Sequence, residues 1–130
     1  LPDEQGDLQS LSDLRGSVII LDFSSSEIEQ YTGYKFELRE LYNKYNQRGL
    51  EIYSVSFDRN QFIWQEAIAN LPWTTVWADA NVAAPILMQY NVPSLPTLFL
   101  FDRKGNPTDH RSGQAAFGLR SLWWLIKEQL

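Results

Sequence analysis

Cysteine is absent from the 130-residue sequence, and its absence excludes disulfide bonds, thiolate metal ligands and thiol nucleophiles within this chain. Histidine occurs once, and the acidic residues do not show the clustered spacing with which proteins hold calcium or magnesium. We therefore expect no metal site and no bound cofactor. The lack of cysteine does not indicate whether the chain works in a reducing or an oxidising compartment.

Long apolar runs and a stripe of basic residues are also missing. The longest apolar runs, among them Val18 to Leu21 and Leu98 to Phe101, have the length of strands, far below the roughly 20 residues that span a bilayer. The net charge is -5, and the lysines and arginines are scattered rather than gathered on a surface for phosphates. The sequence predicts neither a membrane segment nor a nucleic-acid partner.

What the chain does contain is enough apolar and aromatic material for one hydrophobic core. Hydrophobic residues make up 44% of the sequence, including five Trp, six Tyr and seven Phe, so the composition is that of a folded chain. We expect residues 1–130 to form a single domain. Because the sequence opens at Leu1 without an initiator methionine or a leader, we also expect it to belong to a longer product.

The first half of the sequence predicts a strand, a long helix and a second strand. The apolar run from Val18 to Phe23 is typical of a central strand that is covered on both faces. A helix follows and stops at Gly49, and "LEIYSVSF" (Leu50 to Phe57) predicts the second strand. Such a unit is right-handed with parallel strands. The apolar face of the helix has helical spacing: Tyr34, Leu38, Leu41, Tyr42 and Tyr45.

Local signals place the start of this long helix near residue 26. Ser26 precedes Glu29 by three residues, which is the spacing of a capping box. Glu27 and Glu29 would then put negative charge at the positive end of the helix dipole.

The second half of the sequence continues the alternation of helices and strands and ends with a hairpin and a helix. Asp58 or Asn60 is expected to cap the next helix. That helix ends at Pro72, and a short strand in "TTVWAD" follows it. A helix from Asn81 to Tyr90 comes next and tolerates Pro85 near its start. The chain then forms an antiparallel edge hairpin around "DRKGNP" and closes with an amphipathic helix.

Three stretches of the sequence resemble one known family. "LSDLRGSVIILDF" is similar to the "LSDLKGKVVLLDFW" segment of the TlpA/ResA-like thiol-disulfide oxidoreductases, which are bacterial proteins that are usually exported. "LYNKYNQRGLEIYSVSFDRN" and "YNVPSLPTLFLFDRKGN" resemble the long helix, second strand and proline segment of that family. The resemblance covers nearly the whole chain and implies an α/β, thioredoxin-like fold, with a central mixed β-sheet flanked by helices and the insertion of this branch.

The resemblance also shows which residues stand where the family has its redox motif. In the family the first strand ends in a pattern like D-F-W-A-x-W-C-x-x-C-R, and Asp22-Phe23 sets the register. The four positions of the C-x-x-C motif correspond to Ile28, Glu29, Gln30 and Tyr31. Thiol-disulfide exchange needs a thiolate at the helix start and a second thiol to resolve the mixed disulfide. We therefore expect no catalytic residues at these positions.

The same resemblance places a peptide-binding groove beside these positions. Pro96 matches the cis-proline of the family, and Leu95 before it would offer backbone groups to an extended peptide. Ile28 and Tyr31 would line the groove together with Leu95 and Pro96, and apolar side chains there favour binding without turnover. Two alternatives stay open: the cis turn only directs the next strand into register, or Ile28 and Tyr31 fold inward as packing residues.

Two further groups of polar residues have competing interpretations. Asp22 matches a buried acid that assists proton transfer in thioredoxins, but without cysteines it is more simply a strand-end carboxylate satisfied by hydrogen bonds. The run Ser24 to Ser26 follows a strand, as a hydrolase nucleophile can. The glycines of a nucleophile elbow are missing, and His110 lies in a polar hairpin far along the sequence, so capping and turn formation explain these serines better.

These observations lead to two hypotheses about function. In the first, the chain is a redox-inactive thioredoxin-like domain that binds a peptide or protein, or serves as a structural module, in an exported bacterial protein. In the second, it is a non-catalytic member of a thiol-disulfide oxidoreductase system whose cysteines come from another domain or protein. The resemblance implies a periplasmic or otherwise extracytoplasmic location in both cases.

Overall fold

The predicted strand-helix-strand unit forms the centre of the structure. In the computed structural model, which describes residues 1–130, strand β1 (Val18–Ser24) is buried along its whole length. Helix α1 (Tyr31–Tyr45) leads from it to strand β2 (Leu50–Ser56), which pairs with β1 in parallel. The turn between α1 and β2 uses Gly49 with a φ of 112°, a left-handed conformation that favours glycine. The βαβ prediction is confirmed.

Three more strands complete a mixed sheet. The short strand β3 (Thr74–Trp77) lies parallel to β2 at one edge. On the other side of β1, strand β4 (Thr97–Phe101) is antiparallel to β1 and forms a hairpin with the edge strand β5 (Pro107–Ser112). The strand order is β3-β2-β1-β4-β5. The predicted edge hairpin is therefore present.

The remaining helices cover the two faces of this sheet. They are α2 (Gln61–Ala67), α3 (Ala80–Gln89) and α4 (Trp123–Gln129). None of the helices combines the length and the apolar character that crossing a bilayer would require.

The core consists of two clusters, one on each face of the sheet, because alternate side chains of a strand point to opposite faces. The larger cluster joins Val18 and Ile20 of β1 to the buried faces of α1 and of the C-terminal segment, where Leu119 and Ile126 are fully buried. The smaller cluster contains Leu21, Phe23, Tyr53, Val55, Val76 and Ala78, with residues of α3 packed against it.

The prediction that the first long helix begins near residue 26 is wrong. Helix α1 begins at Tyr31, and its N-cap residue, Gln30, has a φ of 67° and makes no side-chain capping bond. The backbone N–H and the hydroxyl of Ser26 instead donate hydrogen bonds of 2.7 Å and 2.8 Å to the carboxylate of Asp58. A partner 32 residues away therefore outcompetes the local capping box that the sequence suggests.

Two other local predictions, on Glu27 and Pro85, are corrected, and one of the two predicted caps of α2 is confirmed. Glu27 does not complement a helix dipole, because its carboxylate forms an ion pair of 2.6 Å with Arg59. Helix α2 is capped by Asn60, whose side chain accepts a 3.0 Å hydrogen bond from the N–H of Ile63, and not by Asp58. Pro85 lies inside α3 rather than close to its start.

Candidate functional site

The turn after β1 and the segment before β4 meet at the same end of the sheet. Phe23 of β1 pairs with Thr97 of β4, so the chain leaving β1 and the chain entering β4 lie side by side. The peptide bond between Leu95 and Pro96 is cis. The carbonyl of Pro96 accepts a 2.8 Å hydrogen bond from the N–H of Gly113, which ties this segment to the chain after β5.

Leu95 has backbone groups that the fold leaves unused. Neither its N–H nor its carbonyl takes part in a hydrogen bond within the protein, although the neighbouring carbonyls of Ser94 and Pro96 both accept one. The Leu95 side chain is half-buried against the smaller core cluster, which holds the residue in place. One main-chain donor and one acceptor at this position are thus unpaired within the protein.

Residues 28–31, which the resemblance aligns with the redox motif of the family, form a turn that leads into α1. The N–H of Ile28 donates to the carbonyl of Ser25 at 3.2 Å, and the N–H of Tyr31 donates to the carbonyl of Ile28 at 3.3 Å. The side chains of Glu29 and Gln30 are exposed and that of Ile28 is half-exposed. Tyr31 is the first residue of α1, and its half-buried side chain lines a small interior cavity between α1, α2 and the sheet.

Asp22 is a buried carboxylate that accepts three hydrogen bonds within the protein. It is 2% exposed and accepts hydrogen bonds from the hydroxyls of Tyr34 at 2.6 Å, Ser54 at 2.7 Å and Ser24 at 3.2 Å. Burial raises the pKa of Asp22 to about 6, because loss of solvation disfavours the charged form more than the hydrogen bonds favour it. The interpretation of Asp22 as a satisfied strand-end carboxylate is confirmed.

Asp58 organises the serine turn, a role that the sequence analysis missed. Besides its two bonds from Ser26, its carboxylate accepts hydrogen bonds from the hydroxyls of Ser25 at 2.7 Å and Ser56 at 2.8 Å. Ser24 of β1 pairs with Ser56 of β2, so the carboxyl ends of these parallel strands coincide. Asp58, which closely follows β2, therefore lies against the serines at the end of β1. The predicted parallel pairing of β1 and β2 is the signal that could have identified Asp58 as their acceptor.

The serine hydroxyls are hydrogen-bond donors to carboxylates and not activated nucleophiles. Ser24 donates to Asp22, and Ser25 and Ser26 donate to Asp58. The only histidine, His110, is exposed on the edge strand β5, where its ring stacks on Phe99. Because β4 separates β5 from β1, no histidine lies beside these serines. The turn therefore does not contain a serine–histidine pair.

The structure also contains no group of three or more His, Asp or Glu side chains placed to hold a metal ion. The two buried carboxylates of this region, Asp22 and Asp58, are each surrounded by hydroxyl donors.

A mixed sheet in the order β3-β2-β1-β4-β5, with a long helix after β1 and helices on both faces, defines a thioredoxin-like fold. Residues 16–107 match the family model described as thioredoxin-like. The chain therefore belongs to the thioredoxin-like family, and it does so without any cysteine. A search among proteins of curated function found no match.

Solved structures of bacterial proteins share this fold over nearly the whole chain. The thioredoxin domain of a thiol-disulfide oxidoreductase from Bacteroides vulgatus has 24% identity and a TM-score of 0.85, covering 98% of this chain and 89% of its own. A thioredoxin-like protein from the same species has 30% identity and a TM-score of 0.77, covering 99% and 86%. A secreted disulfide oxidoreductase from Mycobacterium tuberculosis has 17% identity and a TM-score of 0.81, covering 98% and 92%.

Proposed function

We propose that this chain is a redox-inactive thioredoxin-like domain that binds an extended peptide or protein segment beside Leu95 and Pro96. The observation that carries the proposal is the free N–H and carbonyl of Leu95, which lie at the end of the sheet where the turn after β1 begins. An extended segment can pair with such groups as an added strand.

The proposed groove is lined by four residues that the sequence analysis also names: Ile28, Tyr31, Leu95 and Pro96. Ile28 is half-exposed in the turn before α1 and offers apolar surface to a bound side chain. Pro96 is buried and Leu95 is half-buried, so the main chain that would pair with the segment is already ordered. An ordered binding strand lowers the entropy that association must overcome.

Binding at this groove would not lead to chemistry on the bound segment. The related protein from Bacteroides vulgatus is a thiol-disulfide oxidoreductase, whereas by the resemblance Ile28 and Tyr31 of this chain stand where the family has its cysteines. Neither side chain can form a mixed disulfide. The domain would therefore hold its partner by reversible contacts alone.

A titration monitored by nuclear magnetic resonance tests the proposed groove. A pool of unstructured ten-residue peptides is added to the labelled domain, and we expect amide shift changes at Ile28, Tyr31 and Leu95. An Ile28→Lys variant should weaken the effect, whereas Phe62→Lys, at a residue of α2 that is 81% exposed, should not. Shift changes that avoid these three residues, or no changes at all, would contradict the proposal.

A second candidate function is favoured by two of the structural relatives, which are a thiol-disulfide oxidoreductase and a secreted disulfide oxidoreductase. In it, the domain recognises a partner within such a system and the cysteines come from another domain or protein. Addition of a peptide with one reduced cysteine and of its serine counterpart separates the candidates. Equal binding favours general segment recognition, and preference for the cysteine peptide favours the redox system.

We also propose that residues 1–130 form a single domain of a longer exported, extracytoplasmic protein. The secreted relative from Mycobacterium tuberculosis supports this location. The full gene product tests it directly, because a signal or lipoprotein leader upstream of Leu1 is expected. A reading frame that encodes no such leader would contradict export by this route.

A further inference from the structure

A small polar cavity lies between helices α1 and α2 and the face of strands β1, β2 and β3. Its volume is about 20 Å³, which is enough for one water molecule and for nothing larger. The polar residues that line it are Asp22, Ser24, Ser26, Tyr31, Tyr34, Lys35, Ser54, Ser56, Asp58 and Thr75. Apolar side chains of α1 and α2 and of the chain after α2 close the rest of its wall.

Trp64 of helix α2 lines this cavity and carries an unsatisfied donor. Its side chain is 1% exposed and stacks on Trp77, with ring centroids 6.2 Å apart. The indole Nε1–H of Trp64 is buried and has no hydrogen-bond partner in the protein. The Nε1–H groups of Trp73 and Trp77, in contrast, both donate to protein oxygens, at 2.9 Å and 3.0 Å. A buried donor without a partner in a folded protein usually marks an ordered water.

Tyr31 supplies a second donor in the same place. Its hydroxyl makes no hydrogen bond within the protein, although its side chain lines the cavity beside Asp22 and Asp58. Burial, together with the charges of those two carboxylates, raises the pKa of Tyr31 above its ordinary value, so the hydroxyl keeps its proton at neutral pH. The cavity thus has two free donors and two buried carboxylates in its wall.

We propose that this cavity is a binding site for one internal water molecule. The water accepts hydrogen bonds from the indole N–H of Trp64 and the hydroxyl of Tyr31, and it donates hydrogen bonds to the carboxylates of Asp22 and Asp58. Two accepted and two donated bonds are the full complement of a water molecule. A cation does not fit because two donors face the site, and an anion does not fit because two carboxylates face it.

The water gives Tyr31 a structural role. It joins α2, through Trp64, to the start of α1, through Tyr31, and to the ends of β1 and β2. The hydroxyl of Tyr31 is then held by this water at the start of α1. This inference does not depend on the proposed function.

Cross-relaxation between water and the indole N–H protons of the whole domain tests the proposal. We expect a cross-peak with the sign of a long-lived water at the Trp64 indole and none at the Trp77 indole, whose N–H donates to the carbonyl of Asp58. The resonance of Trp64 is identified by its disappearance in Trp64→Phe. Absence of the cross-peak at Trp64, or equal cross-peaks at both indoles, would overturn the proposal.

A Tyr31→Phe variant separates a bound water from an exchanging hydroxyl. Because Trp64, Asp22 and Asp58 remain as partners, the cross-peak at Trp64 should persist in this variant. Its loss would mean that the signal came from the tyrosine hydroxyl, and it would overturn the proposal. A crystal structure of the wild-type domain provides an independent measurement, in which a water within hydrogen-bond distance of the Trp64 Nε1 atom is expected and its absence counts against the site.

Discussion

The hydroxyl of Tyr34 on helix α1 donates a 2.6 Å hydrogen bond to the carboxylate of Asp22 on strand β1. Both residues are almost inaccessible to solvent, at 1% and 2% exposure. Burial raises the pKa of the Tyr34 hydroxyl well above its ordinary value, so it stays a donor at every pH at which the protein is folded. The bond fixes the first turns of α1 against the end of β1, beside the turn that carries Ile28.

Replacement of Tyr34 by phenylalanine should destabilise the domain and leave Asp22 with two donors. We expect a loss of about 1–3 kcal/mol in the free energy of unfolding at pH 8, since a buried carboxylate loses a partner. The control is Tyr42→Phe, which removes a 3.2 Å bond from a surface hydroxyl to the carbonyl of Pro72 and should cost at most about 1 kcal/mol. Urea unfolding measures both, and equal losses would contradict the assigned role of Tyr34.

The stability of the domain should fall as the pH rises toward neutrality because of Asp22. Its pKa is about 6 in the folded protein against an ordinary value of 3.8, so between these values the folded state binds more protons than the unfolded state. The contribution is fully present below pH 4 and is lost as the pH rises through 6. The shift corresponds to a change of about 3 kcal/mol in the free energy of unfolding.

Substitution of Asp22 by asparagine should remove this pH dependence. The amide keeps an acceptor for Tyr34 and carries no charge, so Asp22→Asn should match the wild type near pH 4 and exceed its stability at pH 8 by about 1–3 kcal/mol. Urea unfolding from pH 4 to pH 8 measures the difference. A variant that is less stable than the wild type at pH 8 would show that the charged carboxylate is favourable where it lies.

Loss of the Asp58 carboxylate should release the turn between β1 and α1. Asp58→Ala leaves three serine hydroxyls and the N–H of Ser26 without their acceptor, and we expect it to cost about 3 kcal/mol. Asp79→Ala removes a carboxylate that accepts from the N–H of Asn81 at the start of α3, and should cost about 1 kcal/mol. Hydrogen exchange at residues 25–30 should accelerate only in the Asp58 variant, and unchanged exchange there would contradict the prediction.

Gln30 should be replaceable by glycine with a gain in stability. Its φ of 67° is a left-handed conformation that costs a residue with a side chain about 1–2 kcal/mol. Glycine avoids this strain, but it also loses more backbone entropy on folding, so only a part of the strain energy is gained as stability. We expect Gln30→Gly to raise the free energy of unfolding by about 0.5–1 kcal/mol. Asn70→Gly, at a φ of 67° that asparagine tolerates better, should gain less, and thermal unfolding compares the two.

The strands and the body of the long helix were predictable because their signals are local. The run from Val18 to Phe23 is apolar at every position but one, and a strand so composed must be covered on both faces. The spacing of Tyr34, Leu38 and Leu41 fixes which face of α1 is buried. The start of α1 was not predictable from the same kind of signal, since the acceptor that captures Ser26 lies on a different strand end.

The sequence by itself determined the order of strands and helices, the absence of thiol chemistry and the buried face of α1. Only the tertiary structure decided which acids meet which serines, that the backbone groups of Leu95 are unpaired, and that the Nε1–H of Trp64 is buried without a protein partner. The physical reason is range: hydrophobic periodicity and caps act within a few residues, whereas the partners of a buried polar group are chosen by the register of paired strands and the packing of helices upon them.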